Sequence, residues 1–152
     1  MKRTVAAIIL IILAWSISAQ ELPTRVPRYE AGVIIGQPTG LSAKYWVSRL
    51  AAFDAALAWS FADNGSFEIH ASLLYHLFYI DVDRDTFPVY LGLGPVFYLR
   101  DDVAIGARVP IGITYLFEDV PLSLFLEIAP VVEVIPESGF DITGGVGVRV
   151  VF

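Results

Sequence analysis

The sequence predicts an all-β fold, an eight-stranded antiparallel up-and-down transmembrane β-barrel. From Tyr29 onward, apolar residues alternate with small or polar residues at the two-residue period of a β-strand. Turn residues divide this region into eight short segments. The apolar face of a segment is nearly unbroken over about 9–11 residues, the length that a tilted strand needs to cross a bilayer.

The chain begins with a pattern that is typical of a secretory signal peptide. Lys2 and Arg3 precede an apolar run over residues 5–15, and the small residues Ser16, Ser18 and Ala19 fit cleavage after Ala19. The sequence therefore predicts a signal peptide at 1–19, a short N-terminal leader at 20–28 and an outer-membrane β-barrel at 29–152.

Composition excludes several functional classes. The formal net charge of −6 becomes −8 when Lys2 and Arg3 are removed, and an acidic chain is a poor partner for nucleic acid. The absence of cysteine excludes a disulfide framework and a thiolate metal site. No phosphate loop, zinc spacing or calcium loop is visible, so we expect no cofactor and no metal.

The turn signals set the bounds of the eight predicted strands. They are 29–37, 40–48, 51–61, 66–79, 87–99, 103–117, 121–135 and 140–152. Every connection is short, which favours antiparallel pairing of consecutive strands.

Alternation alone fits either a soluble barrel with an apolar interior or a membrane barrel with an apolar exterior. The face opposite the apolar one is dominated by Gly, Ala and Ser with a few isolated charges, as in a narrow, crowded interior. Aromatic residues gather near the ends of the apolar faces, where two interfacial girdles would lie. The girdle candidates are Tyr29, Tyr45, Trp59, Phe61, Phe67, Tyr75, Tyr79, Phe97, Tyr115, Phe117, Phe140 and Phe152.

The last strand carries an arginine in an apolar run, GVGVRVVF. A lipid-facing arginine at mid-depth costs about 2–4 kcal/mol, so Arg149 should face the interior. Buried charges persist when they are paired. Because predicted strands six to eight are neighbours, we expect a lumen charge network that consists of Arg108, Glu127, Glu133, Asp141 and Arg149.

The outward face of the same strand ends in a terminal aromatic residue. Val146, Val148, Val150 and Phe152 alternate along it. This pattern resembles the assembly signal by which the barrel-assembly machinery recognises outer-membrane barrel proteins.

The chain from Tyr29 onward resembles the small eight-stranded outer-membrane barrels of the OmpA transmembrane-domain and OmpX type. The segments PVYLGLGPVFYLRDD and IGARVPIGITYLFEDVPLSLFLEIAPVVEVIP, between Pro88 and Pro136, resemble uncharacterised OmpA/OmpX-like barrels of spirochaetes and other diderm bacteria. The resemblance implies this fold and an outer-membrane location. That family has no established reaction, so the resemblance supplies no site residues.

Three functions remain open. The first is a structural, membrane-integrity or narrow porin-like role without catalysis, in a monomer whose partners are outer-membrane lipids and, during biogenesis, the assembly machinery. The second is a lipid-modifying enzyme, because His70 and Ser72 share one face and resemble the His-x-Ser pair of lipid A deacylase barrels. The third is a soluble, lipocalin-like periplasmic lipid carrier with its apolar face inward.

Prolines interrupt three successive predicted strands, at Pro95, Pro110 and Pro130. Proline lacks a backbone donor and usually marks a bulge or an edge. The pattern indicates either local bulges or a weakened seam through which an apolar molecule could pass sideways into lipid.

Overall fold

A computed structural model describes residues 29–60, 66–83 and 85–152. The described residues form nine β-strands: β1 (Tyr29–Gln37), β2 (Thr39–Trp46), β3 (Ala51–Ser60), β4 (Ser66–Val82), β5 (Asp85–Leu99), β6 (Val103–Arg108), β7 (Ile111–Leu116), β8 (Leu122–Ile135) and β9 (Gly139–Val151). Within these residues no helix is long and apolar enough to span a bilayer. The predicted signal peptide and leader lie outside the described residues.

The strands form one antiparallel, ring-like sheet. Strands β1 to β5 pair in sequence order, β8 pairs with β9, and β1 pairs with both β2 and β9. Strands β6 and β7 share the place between β5 and β8. The all-β, antiparallel architecture that the alternation predicts is therefore present.

The number of strands differs from the predicted eight because the sixth predicted strand, 103–117, is divided at Val109 and Pro110. Proline cannot donate to a ladder, so the regular pairing stops there. The register with β5 and β8 is nevertheless the same on both sides of the break. Gly92 N donates to Pro110 O at 2.7 Å and Val109 N donates to Pro130 O at 2.9 Å. β6 and β7 therefore occupy one strand position in the sheet, which is interrupted locally at Val109 and Pro110.

The β4–β5 hairpin is longer than predicted. Its strands run to Val82 and from Asp85, where the sequence indicates a turn over 81–86. A bulge between His76 and Phe78 shifts the register, so the alternation that marks the upstream part of β4 does not continue to its end.

The ring is staggered. A line of opposed residues runs through Glu30, Lys44, Asp54, Ser72, Gly94, Arg108, Val131 and Asp141. The step from Ser72 to Gly94 follows from the flanking pairs His70–Val96 and Leu73–Leu93. The last pair between β1 and β9 is Gln37 with Gly144. If this register is continued, Asp141 lies opposite position 40, which is ten residues beyond Glu30. Following the line once round the ring therefore displaces it by ten residues along the strand. With eight lines of strand, this stagger corresponds to a strand tilt of about 40°.

The sheet buries its polar face and exposes its apolar face. Along β4, Glu68, His70 and Ser72 are buried inside the ring, whereas Ile69 and Leu73 are exposed outside it. Large rings lie against inward-facing glycines: Phe125 covers Gly147 and Tyr90 covers Gly112, where a Cβ atom would overlap the ring. These glycines make room for the side chains that fill the narrow interior.

Candidate functional site

The candidate site is the interior of the ring. It contains an unusual number of buried ionisable side chains, each at most 4% exposed: Glu30, Lys44, Asp54, Glu68, His70, His76, Arg108, Glu127 and Arg149. Charged side chains are almost never fully buried unless they are paired. We call these nine residues the interior charge cluster.

Arg108 and Glu127 form a fully buried ion pair between β6 and β8. Arg108 Nη2 donates to Glu127 Oε1 at 2.5 Å. Tyr90, on β5, donates its hydroxyl to the second oxygen of the same carboxylate at 2.7 Å. The structure therefore brings together two of the five residues of the predicted lumen network.

Arg149 faces the interior, but it contacts β2 and β3. Its Nε and Nη2 donate to Ser42 Oγ at 3.0 and 2.7 Å, and Nη2 lies 3.2 Å from Asp54 Oδ2. The guanidinium also lies over the ring of Phe125, at 3.7 Å from its centroid. None of the predicted carboxylates is its partner. Asp141 is eight residues away on the same strand, a separation of about 26 Å.

The other two predicted network residues lie outside the interior charge cluster. Glu133 pairs with Arg100 at 2.5 Å, where both side chains are 20–29% exposed. Asp141 is exposed, and its Oδ1 accepts from the backbone N of Ile142 at 2.7 Å. Both lie near the end of the ring opposite Tyr29 and Phe152, which we call the far end. Strand length separates them from Arg149.

The other end, where Phe152 N donates to Tyr29 O at 2.8 Å, is the terminal end. Here Trp46 points inward and donates its indole N–H to Glu30 Oε1 at 2.6 Å. Ser123 donates its hydroxyl to the other oxygen of Glu30 at 2.6 Å. Glu30 thus connects β2 and β8 through the interior.

An aromatic stack continues from this point across the ring. The Trp46 ring stacks on His76 with centroids 4.2 Å apart, and His76 lies 5.7 Å from the Tyr90 ring. Lys44 Nζ is 3.2 Å from His76 Nε2. We call Glu30, Lys44, Trp46, His76 and Tyr90 the terminal plug.

Trp46, His76 and Tyr90 were not among the predicted site residues. Trp46 is two residues from Lys44, and Tyr90 is two residues before Gly92, so strand alternation places both on inward faces. That signal was available, but the girdle candidates did not include these residues and no role was predicted for them.

His70 and Ser72 also face the interior. His70 Nδ1 lies 2.7 Å from Glu68 Oε1, and both His70 and Ser72 are 2% exposed. Ser72 Oγ has no hydrogen-bond partner among the described residues. Within the described ranges, no three His, Asp or Glu side chains are grouped as metal ligands would be.

The four residues of the predicted assembly signal lie together on the outside of β9. Val146, Val148, Val150 and Phe152 are all exposed. The three valines lie opposite Leu126, Leu124 and Leu122 of β8. Their role in assembly stays a prediction.

The outer surface has aromatic residues near both ends. At the terminal end, Tyr29 stacks on Tyr45 at 5.1 Å, and Tyr115 contacts Phe87 at 5.2 Å. Trp59, Phe67, Phe97 and Phe140 lie near the far end. Phe87 and Phe97 are ten residues apart on β5, about 25 Å along the axis of a tilted ring. Phe61, another girdle candidate, lies outside the described residues.

Comparison of this chain with protein-family models, curated proteins and solved structures gave no match. Its function must therefore be inferred from its own residues.

Proposed function

We propose that this chain is a small outer-membrane β-barrel protein with a structural or membrane-integrity role. The observation that carries the proposal is the inverted distribution of its side chains. The interior holds ionisable groups, while large apolar residues of every strand are exposed outside. A soluble domain of this size would lose stability by exposing such a surface to water, whereas a bilayer accepts it.

The dimensions of the outer surface support a lipid environment. Between the two aromatic zones the exposed residues are aliphatic, for example Val33, Leu57, Leu93, Ile111 and Leu126. A band of about 25 Å bounded by aromatic girdles is the signature of an outer-membrane barrel. Closure of the ring would also satisfy the backbone groups that lipid cannot.

The packed interior favours a structural role over a porin-like one. The terminal plug and the Arg108–Glu127 pair occupy the inside of the ring with fully buried side chains. Eight-stranded barrels of this kind are usually filled by their own side chains.

The two other hypotheses receive less support. A lipocalin-like carrier needs its apolar face inside, where this ring has its charges. A lipid-modifying enzyme needs access to lipid, and His70 and Ser72 are buried away from the apolar exterior. Mass spectrometry of lipid A from expressing and deleted cells tests the enzyme directly.

In this proposal the chain is an OmpA/OmpX-like monomer in the outer membrane of a diderm bacterium. Its partners are outer-membrane lipids and, through Val146, Val148, Val150 and Phe152, the barrel-assembly machinery. The shared position of Tyr29 and Phe152 at one end supports placing both termini on the periplasmic side.

The test is refolding of residues 20–152 with and without detergent micelles, followed by circular dichroism and gel migration before and after heating. We expect β-structure and a heat-modifiable band only with detergent. A β-rich soluble monomer without detergent would overturn the proposal. For the cellular role, deletion should increase sensitivity to bile salts and large antibiotics, and unchanged sensitivity would exclude a role in membrane integrity.

A further inference from the structure

Together with Glu127 and Ser123, the side chains of the terminal plug form a closed circuit of contacts across the ring. Glu30 of β1 accepts from Trp46 of β2, Trp46 stacks on His76 of β4, and His76 contacts Tyr90 of β5. Tyr90 donates to Glu127 of β8, and Ser123, also of β8, donates back to Glu30. This circuit of side chains crosses the interior at the terminal end.

Lys44 lies within the circuit without a carboxylate partner in the described part of the chain. Its Nζ is 4.1 Å from the centroid of the Trp46 ring and 5.2 Å from that of Tyr90. Glu30 lies opposite Lys44 on β1, and each of its carboxylate oxygens already accepts a hydrogen bond from another residue. The ammonium is therefore held mainly by aromatic faces and by His76.

The two hydrogen-bond distances around His76 fit a neutral imidazole beside a protonated Lys44. An ammonium can only donate, so His76 Nε2 must accept from Lys44 Nζ. His76 Nδ1 is 3.2 Å from Leu50 O, which can only accept, so Nδ1 carries the proton. The neutral imidazole thus directs a lone pair at the ammonium. Proteins recognise organic ammonium ions by aromatic ring faces, and here a nitrogen lone pair adds a hydrogen-bond acceptor.

We propose that Trp46, His76 and Tyr90 form a binding site for a primary ammonium ion, and that the chain's own Lys44 occupies this site and seals the terminal end of the interior. The inference rests on the proposed membrane barrel, because a seal has meaning only in a ring that separates two compartments. It adds a ligand class to the proposed function and a reason to expect that the proposed barrel does not conduct.

Removing the Lys44 side chain should open a path for ions through the interior, and the remaining buried charges predict whether cations or anions pass more readily. Four buried carboxylates would remain, on Glu30, Asp54, Glu68 and Glu127, against the two guanidinium groups of Arg108 and Arg149. The excess of negative charge should make the path favour cations.

The experiment measures ion conductance of the refolded protein in planar lipid bilayers. The wild type should be silent and Lys44→Ala should conduct, with a reversal potential that indicates cation preference. The atoms lost in Lys44→Ala correspond to propylammonium. Millimolar propylammonium should therefore reduce the conductance about tenfold, while propanol, of the same size but uncharged, should leave it unchanged.

Arg49→Ala provides the matched control, because it removes an exposed cation at the same end of the ring. It should stay silent. Three outcomes would overturn the inference: wild-type conductance equal to that of Lys44→Ala, a folded Lys44→Ala that stays silent, or a conducting Lys44→Ala on which propylammonium acts no more strongly than propanol.

If Lys44→Ala refolds poorly, the readout becomes the yield of the heat-modifiable band. Propylammonium should restore that yield and propanol should not, and no restoration would reject the ammonium site. Detergent-dependent folding of the wild type is measured separately. The experiments can therefore distinguish an error in the inferred role of Lys44 from an error in the proposed membrane location.

Discussion

At the scale of single residues, the Arg108–Glu127 pair is the contact whose disruption should reduce stability most. Both side chains are inaccessible to water, and Tyr90 supplies the only other hydrogen bond to the carboxylate within the described residues. Removing two charges from water is costly, and their mutual attraction offsets that cost only while both are present. Loss of one partner should therefore be much worse than loss of both.

Arg108→Met should lower the free energy of unfolding by about 3–5 kcal/mol, because it leaves Glu127 buried without a counter-charge. Adding Glu127→Leu should recover most of this loss. Arg100→Met, in the half-exposed pair with Glu133, should cost no more than about 1 kcal/mol. Urea unfolding in detergent micelles, followed by gel shift, measures all four proteins. An Arg108→Met variant as stable as the wild type would contradict the assigned role of the pair.

Alternation in the sequence was enough to predict that Arg108, Glu127 and Arg149 face inward. It could not identify the partners of Arg149. Those partners depend on the ten-residue displacement between strands round the ring, because this displacement determines which residues lie at the same height in the interior. Ser42 and Asp54 are 107 and 95 residues from Arg149 in sequence. The prediction placed the partners of Arg149 on the adjacent strands, whereas Ser42 and Asp54 lie on β2 and β3, two and three strands from β9.

At the scale of elements, the line formed by β6 and β7 shows what a single proline changes. The register is preserved across the break, so the predicted bounds of the sixth strand describe the path of the chain correctly. The sequence also marked Pro110 as an interruption, but it could not choose between a bulge and a seam. The bonds from Gly92 N and Val109 N across the break favour a local interruption.

Pro110→Ala should join β6 and β7 into one strand. Gly92 N already donates to Pro110 O, and a new N–H at position 110 can return the bond to Gly92 O. We expect slow hydrogen exchange at the new amide and a change in stability within about 1 kcal/mol, because one hydrogen bond is gained while the unfolded chain becomes less restricted. The amide of Val109, bonded in both proteins, is the internal reference. Rapid exchange of the new amide at position 110 would show that the two strands stay separate.

At the scale of the whole molecule, the inverted surface determines how substitutions should behave. On the outside of a soluble protein, replacing an exposed leucine by arginine is usually harmless. On the outside of a membrane barrel the same change is costly, and the cost depends on depth. The apolar exterior was predictable from the faces of the strands, whereas the terminal plug needed three-dimensional contacts.

Leu126→Arg should destabilise the protein by about 2–4 kcal/mol in liposomes, because Leu126 lies between the aromatic zones. Val82→Arg, at the tip of the β4–β5 hairpin, should cost no more than about 1 kcal/mol. The two wild-type side chains have similar exposure, 51% and 53%, so exposure cannot explain a difference. Chemical unfolding from liposomes measures the loss of stability caused by each substitution. If both losses were equal and negligible, Leu126 would be in contact with water rather than lipid.

The contacts of Arg149 also bear on the route by which the molecule assembles. Asp54 receives its guanidinium partner from the last strand, and Glu30 receives Ser123 from the strand before it, 93 residues away. In a sheet that had entered the bilayer with only its first strands, Asp54 would lack the Arg149 guanidinium and Glu30 would lack the Ser123 hydroxyl, in a medium that penalises unpaired charge severely. If the chain is the membrane barrel proposed above, partial insertion is therefore disfavoured. Such a barrel should remain outside the hydrocarbon until its final strand is available, and should then insert in a single cooperative step.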